Sequence, residues 1–157
     1  VLRHDPDIVM IGEIRDYETA QMAVRSAMTG HLVMTTMHTK NAADAILRLR
    51  ELGIPMHDIE QTVIGVIAQR LVERLCPNCG DRCSISCKRL KDAKLSAVFD
   101  ILINEELNEV FNCLKQNKLI RNTNGISKKV AKAYALGYVT KRSLVKWGDV
   151  WCQESQE

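Results

Sequence analysis

Residues 5–16 read DPDIVMIGEIRD, an apolar run that stops abruptly at a glycine and a carboxylate. Four unbroken apolar residues, Ile8 to Ile11, fit a strand buried on both faces, as in a parallel sheet covered by helices. Gly12 and Glu13 then fall at its carboxyl end, where open α/β sheets receive their ligands. Glu13, Arg15 and Asp16 are therefore the first candidates for chemistry. Taken alone, the same run also fits a buried strand followed by a polar turn.

The residues that follow repeat this organisation. Asp16 is placed to cap the free N–H groups of a helix, with Glu18 at the positive end of its dipole. Arg15 can pair locally with Asp16. Ala20, Val24, Ala27 and Met28 recur at helical spacing, a stripe expected to lie on the sheet, and Gly30 ends the helix as a C′ residue. A second strand, Leu32 through His38, is again apolar on both faces. Two buried strands joined by a helix make a right-handed βαβ unit with their carboxyl ends side by side, which predicts Glu13 and His38 as neighbours at one rim. A helix starting in residues 39–44 carries Ala43, Ile46, Leu47 and Leu49 and runs to Leu52, before Gly53-Ile-Pro55.

Residues 56–68 read as a further helix with Ile59, Val63, Ile64 and Ile67 inward, and residues 69–75 alternate as a half-exposed strand does. Residues 1–75 thus form an α/β core, residues 76–89 a four-cysteine loop, and residues 90–157 a mainly helical appendage. In the appendage, residues 97–103 suit a short strand, and Asn104 caps a helix over 105–116 with Leu107, Val110, Phe111 and Leu114 on one face. Ser127 caps a helix that closes at Gly137, and Thr140 caps a last one through Trp151.

The wording of residues 5–49, DPDIVMIGEIRD and then ETAQMAVRSAMTGHLVMTTMHTKNAADAILRL, resembles the secretion-ATPase family that powers type II secretion, type IV pili and competence pseudopili, the GspE/PilB/ComGA-like proteins. The resemblance extends to about Cys79. It implies the C-terminal part of a RecA-like phosphate-loop ATPase domain, with Gly12-Glu13 ending the atypical Walker B segment and His38 as the histidine-box residue. By that resemblance, Glu13 orients and deprotonates the attacking water or holds a water on Mg²⁺, and His38 senses the γ-phosphate. Gly12, Arg15, Asp16, His31 and Arg70 are implied as nucleotide-site neighbours. His31 could equally anchor a turn, Asp16 could serve as a helix cap alone, and Arg70 could decorate an exposed strand face. No G-x-x-x-x-G-K-[ST] loop occurs in these residues, so the chain reads as part of a longer enzyme, inactive by itself. The family further implies ATP and Mg²⁺, a hexameric ring, and a cytoplasmic position at the inner face of the membrane through an integral platform protein.

Charge divides along the chain: residues 1–75 hold 8 Lys and Arg against 10 Asp and Glu, and residues 76–157 hold 14 against 9. Such a basic half could touch nucleic acid or anionic lipid, but it lacks the dense Arg/Lys cluster of a dedicated binder, so a solvated surface is expected and direct nucleic-acid binding is not. No apolar run approaches the ~18 residues of a membrane span. Cys76, Cys79, Cys83 and Cys87 form C-x2-C-x3-C-x3-C, and clustered cysteines without an export signal point to metal more than to disulfides. Four thiolates suit tetrahedral Zn²⁺, with reduced structural thiols as the alternative. The family's zinc modules separate two C-x-x-C pairs widely, and the compressed pattern here is most similar to the competence branch. A rival from another class is a zinc-bearing binding module whose basic half grips DNA or a protein partner. A metal hydrolase built on His31 and His38 is weaker, because no second pair of ligands has suitable spacing.

Overall fold

A computed structural model describes residues 6–80, 87, 94–116, 118 and 125–147. Their order is β1 (Ile8–Glu13), α1 (Tyr17–Met28), β2 (Leu32–Thr36), α2 (Ala42–Glu51), α3 (Met56–Thr62), β3 (Gly65–Glu73), β4 (Leu95–Ile103), α4 (Asn104–Lys115), α5 (Gly125–Ala135) and α6 (Lys141–Trp147). The chain divides into two compact units, one from 1–66 and 101–121, the other from 67–100 and 122–157.

In the first unit β1 and β2 pair in parallel, as the strand–helix–strand order requires. Asp16 caps α1 by accepting from the Thr19 N–H at 2.8 Å, and Gly30, at φ +96°, takes the left-handed turn that ends it. Asn41 caps α2 through the Asp44 N–H, also at 2.8 Å. The core is small and aliphatic: Ala20, Ala23 and Val24 of α1, Ala42, Ala43, Ile46 and Leu49 of α2, and Ile59 of α3 are buried. Leu107, Val110, Phe111 and Leu114 of α4 are buried as their spacing predicts, and Lys115 of α4 pairs with Glu60 of α3 at 2.7 Å.

Several expectations are corrected. Neither β1 nor β2 is buried on both faces: Val9, Ile11 and Val33 are half-buried, while Ile8, Met10, Leu32 and Met34, of the opposite parity, lie on an open face. An apolar run makes a strand fit for two covered faces without supplying the second cover. Met28 is likewise 48% exposed and does not complete the α1 stripe. β2 stops at Thr36, two residues before His38. The helix expected over 56–68 ends at Thr62, and β3 begins at Gly65, leaving Ile64 and Ile67 exposed. Gly65 and its β-branched neighbours weaken a helix here, and β4 offers a strand partner: a Cβ at Gly65 would come within 3.1 Å of Ile103. With Arg74 donating to the Lys94 carbonyl at 2.8 Å, β3 and β4 run antiparallel. Asn104 does not cap α4 but opens it, at φ +47°.

In the second unit Ala68, Val72, Ile126, Val130 and Val139 are buried among the described residues, Val72 and Val130 fully. Polar anchors supplement them. Ser143 of α6 accepts from the Glu73 N–H through Oγ at 2.7 Å, and the Thr140 N–H donates to the Glu73 carbonyl at 3.0 Å. Thr140 caps α6 as expected, accepting from the Ser143 N–H at 3.3 Å. The expected continuation of α6 through Trp151 extends past Trp147 into residues outside those described. Ser127 is not a cap: α5 starts two residues earlier, at Gly125, and Ser127 is buried within it. At the first residue of α5 the Asp100 carboxylate sits against Gly125, where any side chain would collide with it.

Asp100 is only 6% exposed, and burial raises its carboxyl above the ordinary value, with Lys129 opposing the shift. The folded state therefore holds the proton more tightly than the unfolded chain, so this group's contribution to stability falls as pH rises above about 3.8. Asp100→Asn keeps an acceptor and removes the charge. It should be more stable than the parent at neutral pH, with the difference vanishing below the carboxylate range, as read from thermal unfolding across pH. Gly125→Ala, ordinarily favourable in a helix, should instead lose about 1–3 kcal/mol through overpacking against Asp100, measured by denaturant unfolding.

Candidate functional site at the carboxyl rim of the parallel strands

The β1–β2 ladder runs in register from Ile8 with Leu32 to Ile11 with Thr35, then slips so that Glu13 pairs with Thr36. Gly12 is the extra residue. The slip is held by Thr36, whose Oγ1 donates to the Gly12 carbonyl at 2.6 Å and whose own carbonyl accepts from the Ile14 N–H at 3.0 Å. Bulges re-aim a side chain at a strand end, and here the re-aimed side chain is Glu13. A Cβ built at Gly12 would meet nothing within 4 Å, so the rim beside Glu13 is uncovered.

Glu13 Oε2 lies 2.6 Å from the Arg15 guanidinium, and Oε1 lies 3.4 Å from His38 Nε2. The carboxylate is the sheltered member: its side chain is 22% exposed, against 74% for Arg15 and 90% for His38. The hydrogen bond from Arg15 holds the Glu13 carboxyl below its ordinary value, desolvation opposes this, and the charges of Arg15 and His38 add to the lowering. Glu13 is thus an ionised acceptor at neutral pH and a weak base.

Arg15 pairs with Glu13 and not with Asp16, contrary to expectation. In extended backbone, residues two apart share a face, which sets Arg15 beside Glu13, while the Asp16 carboxylate is taken by the α1 N-terminus. That hydrogen bond from Thr19 lowers the Asp16 carboxyl. His31 is at the other end of β2: its Nδ1 lies 3.0 Å from both Thr29 Oγ1 and the Ser26 carbonyl, closing the C-terminus of α1. Its neighbour Leu32 pairs with Ile8, the first residue of β1, so His31 and His38 do not converge on one site.

In the second unit Arg70 of β3 donates to the Gln69 carbonyl at 2.8 Å, and its guanidinium lies 5.3 Å from the centroid of the Trp147 ring. Sequence spacing gave no sign of this stacking partner, since 77 residues separate the two. At the start of the cysteine loop, the sulfurs of Cys76, Cys79 and Cys87 lie within 4.8 Å of one another, Cys76 and Cys87 at 3.9 Å. Tetrahedral Zn–S bonds of ~2.3 Å put sulfurs ~3.8 Å apart, so these three thiols fit zinc. The Gly80 N–H donates back to the Cys76 carbonyl at 2.9 Å, the tight turn such a site needs. Cys83, the fourth expected ligand, lies outside the described residues.

Open α/β sheets take their ligands beyond the carboxyl ends of the parallel strands, and Glu13 and His38 lie at that end of the strand–helix–strand unit. Solved structures share the fold: the ATPase DotB of Legionella pneumophila superposes with a TM-score of 0.68 at 26% identity, covering 92% of this chain and 39% of that one. The pilus retraction motor PilT, solved with ADP, gives a TM-score of 0.63 at 27% identity, covering 92% and 40%. The family model for Type II/IV secretion system proteins matches residues 1–142, and the chain belongs to that family. Among curated relatives, competence protein ComGA of Bacillus subtilis is 44% identical over 148 residues, 94% of this chain and 42% of that protein. Type II secretion system ATPase E of Vibrio cholerae is 58% identical over 79 residues, 50% of this chain and 16% of that protein. The chain spans about two fifths of the length of its ComGA relatives, 42% and 39%.

Titration separates the two cations that face Glu13. Arg15→Gln should raise the Glu13 carboxyl toward 4.5, whereas His38→Ala should move it less, because His38 supplies the smallest of the lowering effects. Carboxyl carbon chemical shifts followed through an acid titration measure both; an unmoved Glu13 in Arg15→Gln would reject the clamp.

Proposed function

We propose that this chain is the Walker B and histidine-box portion of an ATPase that works as a hexameric ring and drives pseudopilus or pilus assembly, for DNA uptake or protein secretion. The observation that carries the reading is the Glu13 carboxylate, re-aimed at the strand end, braced by Arg15 and faced by His38. ComGA of Bacillus subtilis matches along 94% of the chain, which favours the competence branch. In this reading ATP with Mg²⁺ is the substrate complex. A carboxylate of lowered basicity is better at accepting hydrogen bonds from a water, attacking or metal-bound, than at removing its proton outright. Glu13 therefore orients the water, Arg15 fixes the rotamer of Glu13, and exposed His38 reports the γ-phosphate. Gly12 keeps the approach open, and Asp16 acts by capping α1. His31 secures the turn before β2, and Arg70 acts within the second unit.

A zinc ion held by Cys76, Cys79 and Cys87, with Cys83 completing the set, would be structural, with no open position for water. Binding would contribute on the order of 10 kcal/mol to a stretch, residues 76–89, whose sequence offers one aliphatic side chain besides proline, Ile85. In the complete enzyme, association with the inner face of the membrane runs through an integral platform protein.

Residues 1–157 contain no phosphate loop, so by themselves they should bind ATP weakly. In the full-length enzyme, Glu13→Gln should lower turnover by about 10²- to 10⁴-fold while sparing nucleotide binding, and His38→Ala should slow turnover less. Parental rates in both variants would defeat the assignment. Metal analysis of protein purified under reducing conditions should give about one equivalent of zinc per chain, lost in Cys79→Ser together with protease resistance beyond residue 76.

A further inference from the structure

Residues 125–147, comprising α5, the turn at Gly137 and α6, contain Lys128, Lys129, Lys132, Lys141, Arg142 and Lys146 and no Asp or Glu. All six cations are exposed. Solvated helices ordinarily intersperse both signs, and like charges one turn apart, such as Arg142 with Lys146, weaken a helix by a few tenths of a kcal/mol; locally Lys129 donates to the Phe99 carbonyl at 2.7 Å and the Glu73 carboxylate lies 3.8 Å from Arg142. Apolar side chains stand exposed among these cations. Leu136 and Tyr138, 60% and 66% exposed, flank Gly137 in the turn, and Val145 on α6 is 61% exposed. Trp147 ends α6 with its Nε1 donating to the Leu71 carbonyl at 3.3 Å and with Arg70 and Lys146 over its ring.

We propose that this helical hairpin is a docking surface for an anionic lipid bilayer, its cations meeting headgroup phosphates while Leu136, Tyr138 and Val145 enter the interface. The apolar set decides between polyanions. Reading of a nucleic acid relies on Arg, Asn and Gln at base edges, and residues 125–147 offer one Arg and no Asn or Gln. Leu136 and Val145 gain nothing from a phosphate backbone. A membrane interface, by contrast, takes lysines at the headgroups, Tyr and Trp at the boundary and aliphatic side chains below it. Among the described residues no helix is long and apolar enough to cross a membrane. The proposal goes beyond the ATPase reading and does not rest on it, since neither nucleotide, Glu13 nor a platform protein takes part.

The test is co-sedimentation of the whole chain, without nucleotide, with phosphatidylcholine vesicles with and without phosphatidylglycerol. Binding should require the anionic lipid and weaken with added salt as screening sets in. Each cation near an anionic leaflet is worth about fivefold in affinity, so Lys141→Gln with Lys146→Gln should weaken binding about 25-fold. Leu136→Ser with Val145→Ser should weaken it with every charge retained. These side chains are exposed, and unchanged thermal unfolding will verify that the variants fold. Absence of binding to anionic vesicles, equal binding to neutral ones, or parental binding by both double variants would overturn the proposal. So would duplex DNA that displaces the vesicles and loses affinity in the lysine variant alone.

Discussion

The placement of Glu13 depends on one irregularity in the parallel pairing of β1 and β2. Up to Ile11 and Thr35 the two strands advance together, and then β1 spends one more residue, Gly12, than β2 does. The Thr36 hydroxyl and carbonyl hold both sides of the slip, one through Gly12 and the other through Ile14. Lack of space is not what calls for glycine there, because a Cβ would meet nothing. A glycine within a strand pattern often marks close approach of another group to the backbone. At Gly12 it leaves the rim open beside the carboxylate.

Once aimed, Glu13 is governed by Arg15. A guanidinium 2.6 Å away keeps the carboxylate ionised and fixes its direction, and both effects lower its appetite for a proton. Geometry and basicity thus pull in opposite directions at this residue. Positioning can contribute much to a barrier through orientation alone, so a weakly basic but well-directed carboxylate is chemically coherent. His38 is farther off, 3.4 Å from the carboxylate, and largely in solvent.

The fold was legible in the sequence where a local signal carried the information. Asp16, Gly30, Asn41 and Gly53 mark helix ends through caps and left-handed turns that involve only their own neighbours. The proximity of Glu13 and His38 followed from parallel pairing, itself a consequence of the strand–helix–strand order. Failures came where a distant partner decided. Ile59, Val63, Ile64 and Ile67 satisfy a helical spacing, yet the chain turns to strand at Gly65 because β4, about thirty residues on, pairs with it. Ser127 looks like a cap, yet α5 already runs from Gly125 and buries it. Arg15 could have been assigned to Glu13 from the sequence alone, since residues two apart in extended chain share a face. The nearer neighbour, Asp16, drew the reading away.

The second unit meets a different physical demand from the first. Among its described residues the fully buried aliphatics are Val72 and Val130, and it carries six cations on two short helices without a carboxylate among them. Repulsion of that kind must be offset, and the offsets are mostly polar and local. Ser143 and Thr140 tie α6 to Glu73, the Glu73 carboxylate lies 3.8 Å from Arg142, and the Trp147 ring takes Arg70 and Lys146 on its π surface. Exposed ion pairs and cation–π contacts each contribute about 1 kcal/mol or less, so the hairpin is held by many weak contacts and not by a large core. A surface of this kind keeps its sign and exposure through small displacements that would disable the Glu13 site. A patch of charge acts over a Debye length, about 8 Å at physiological salt, whereas Glu13 depends on hydrogen-bond contacts that a shift of a fraction of an ångström would break.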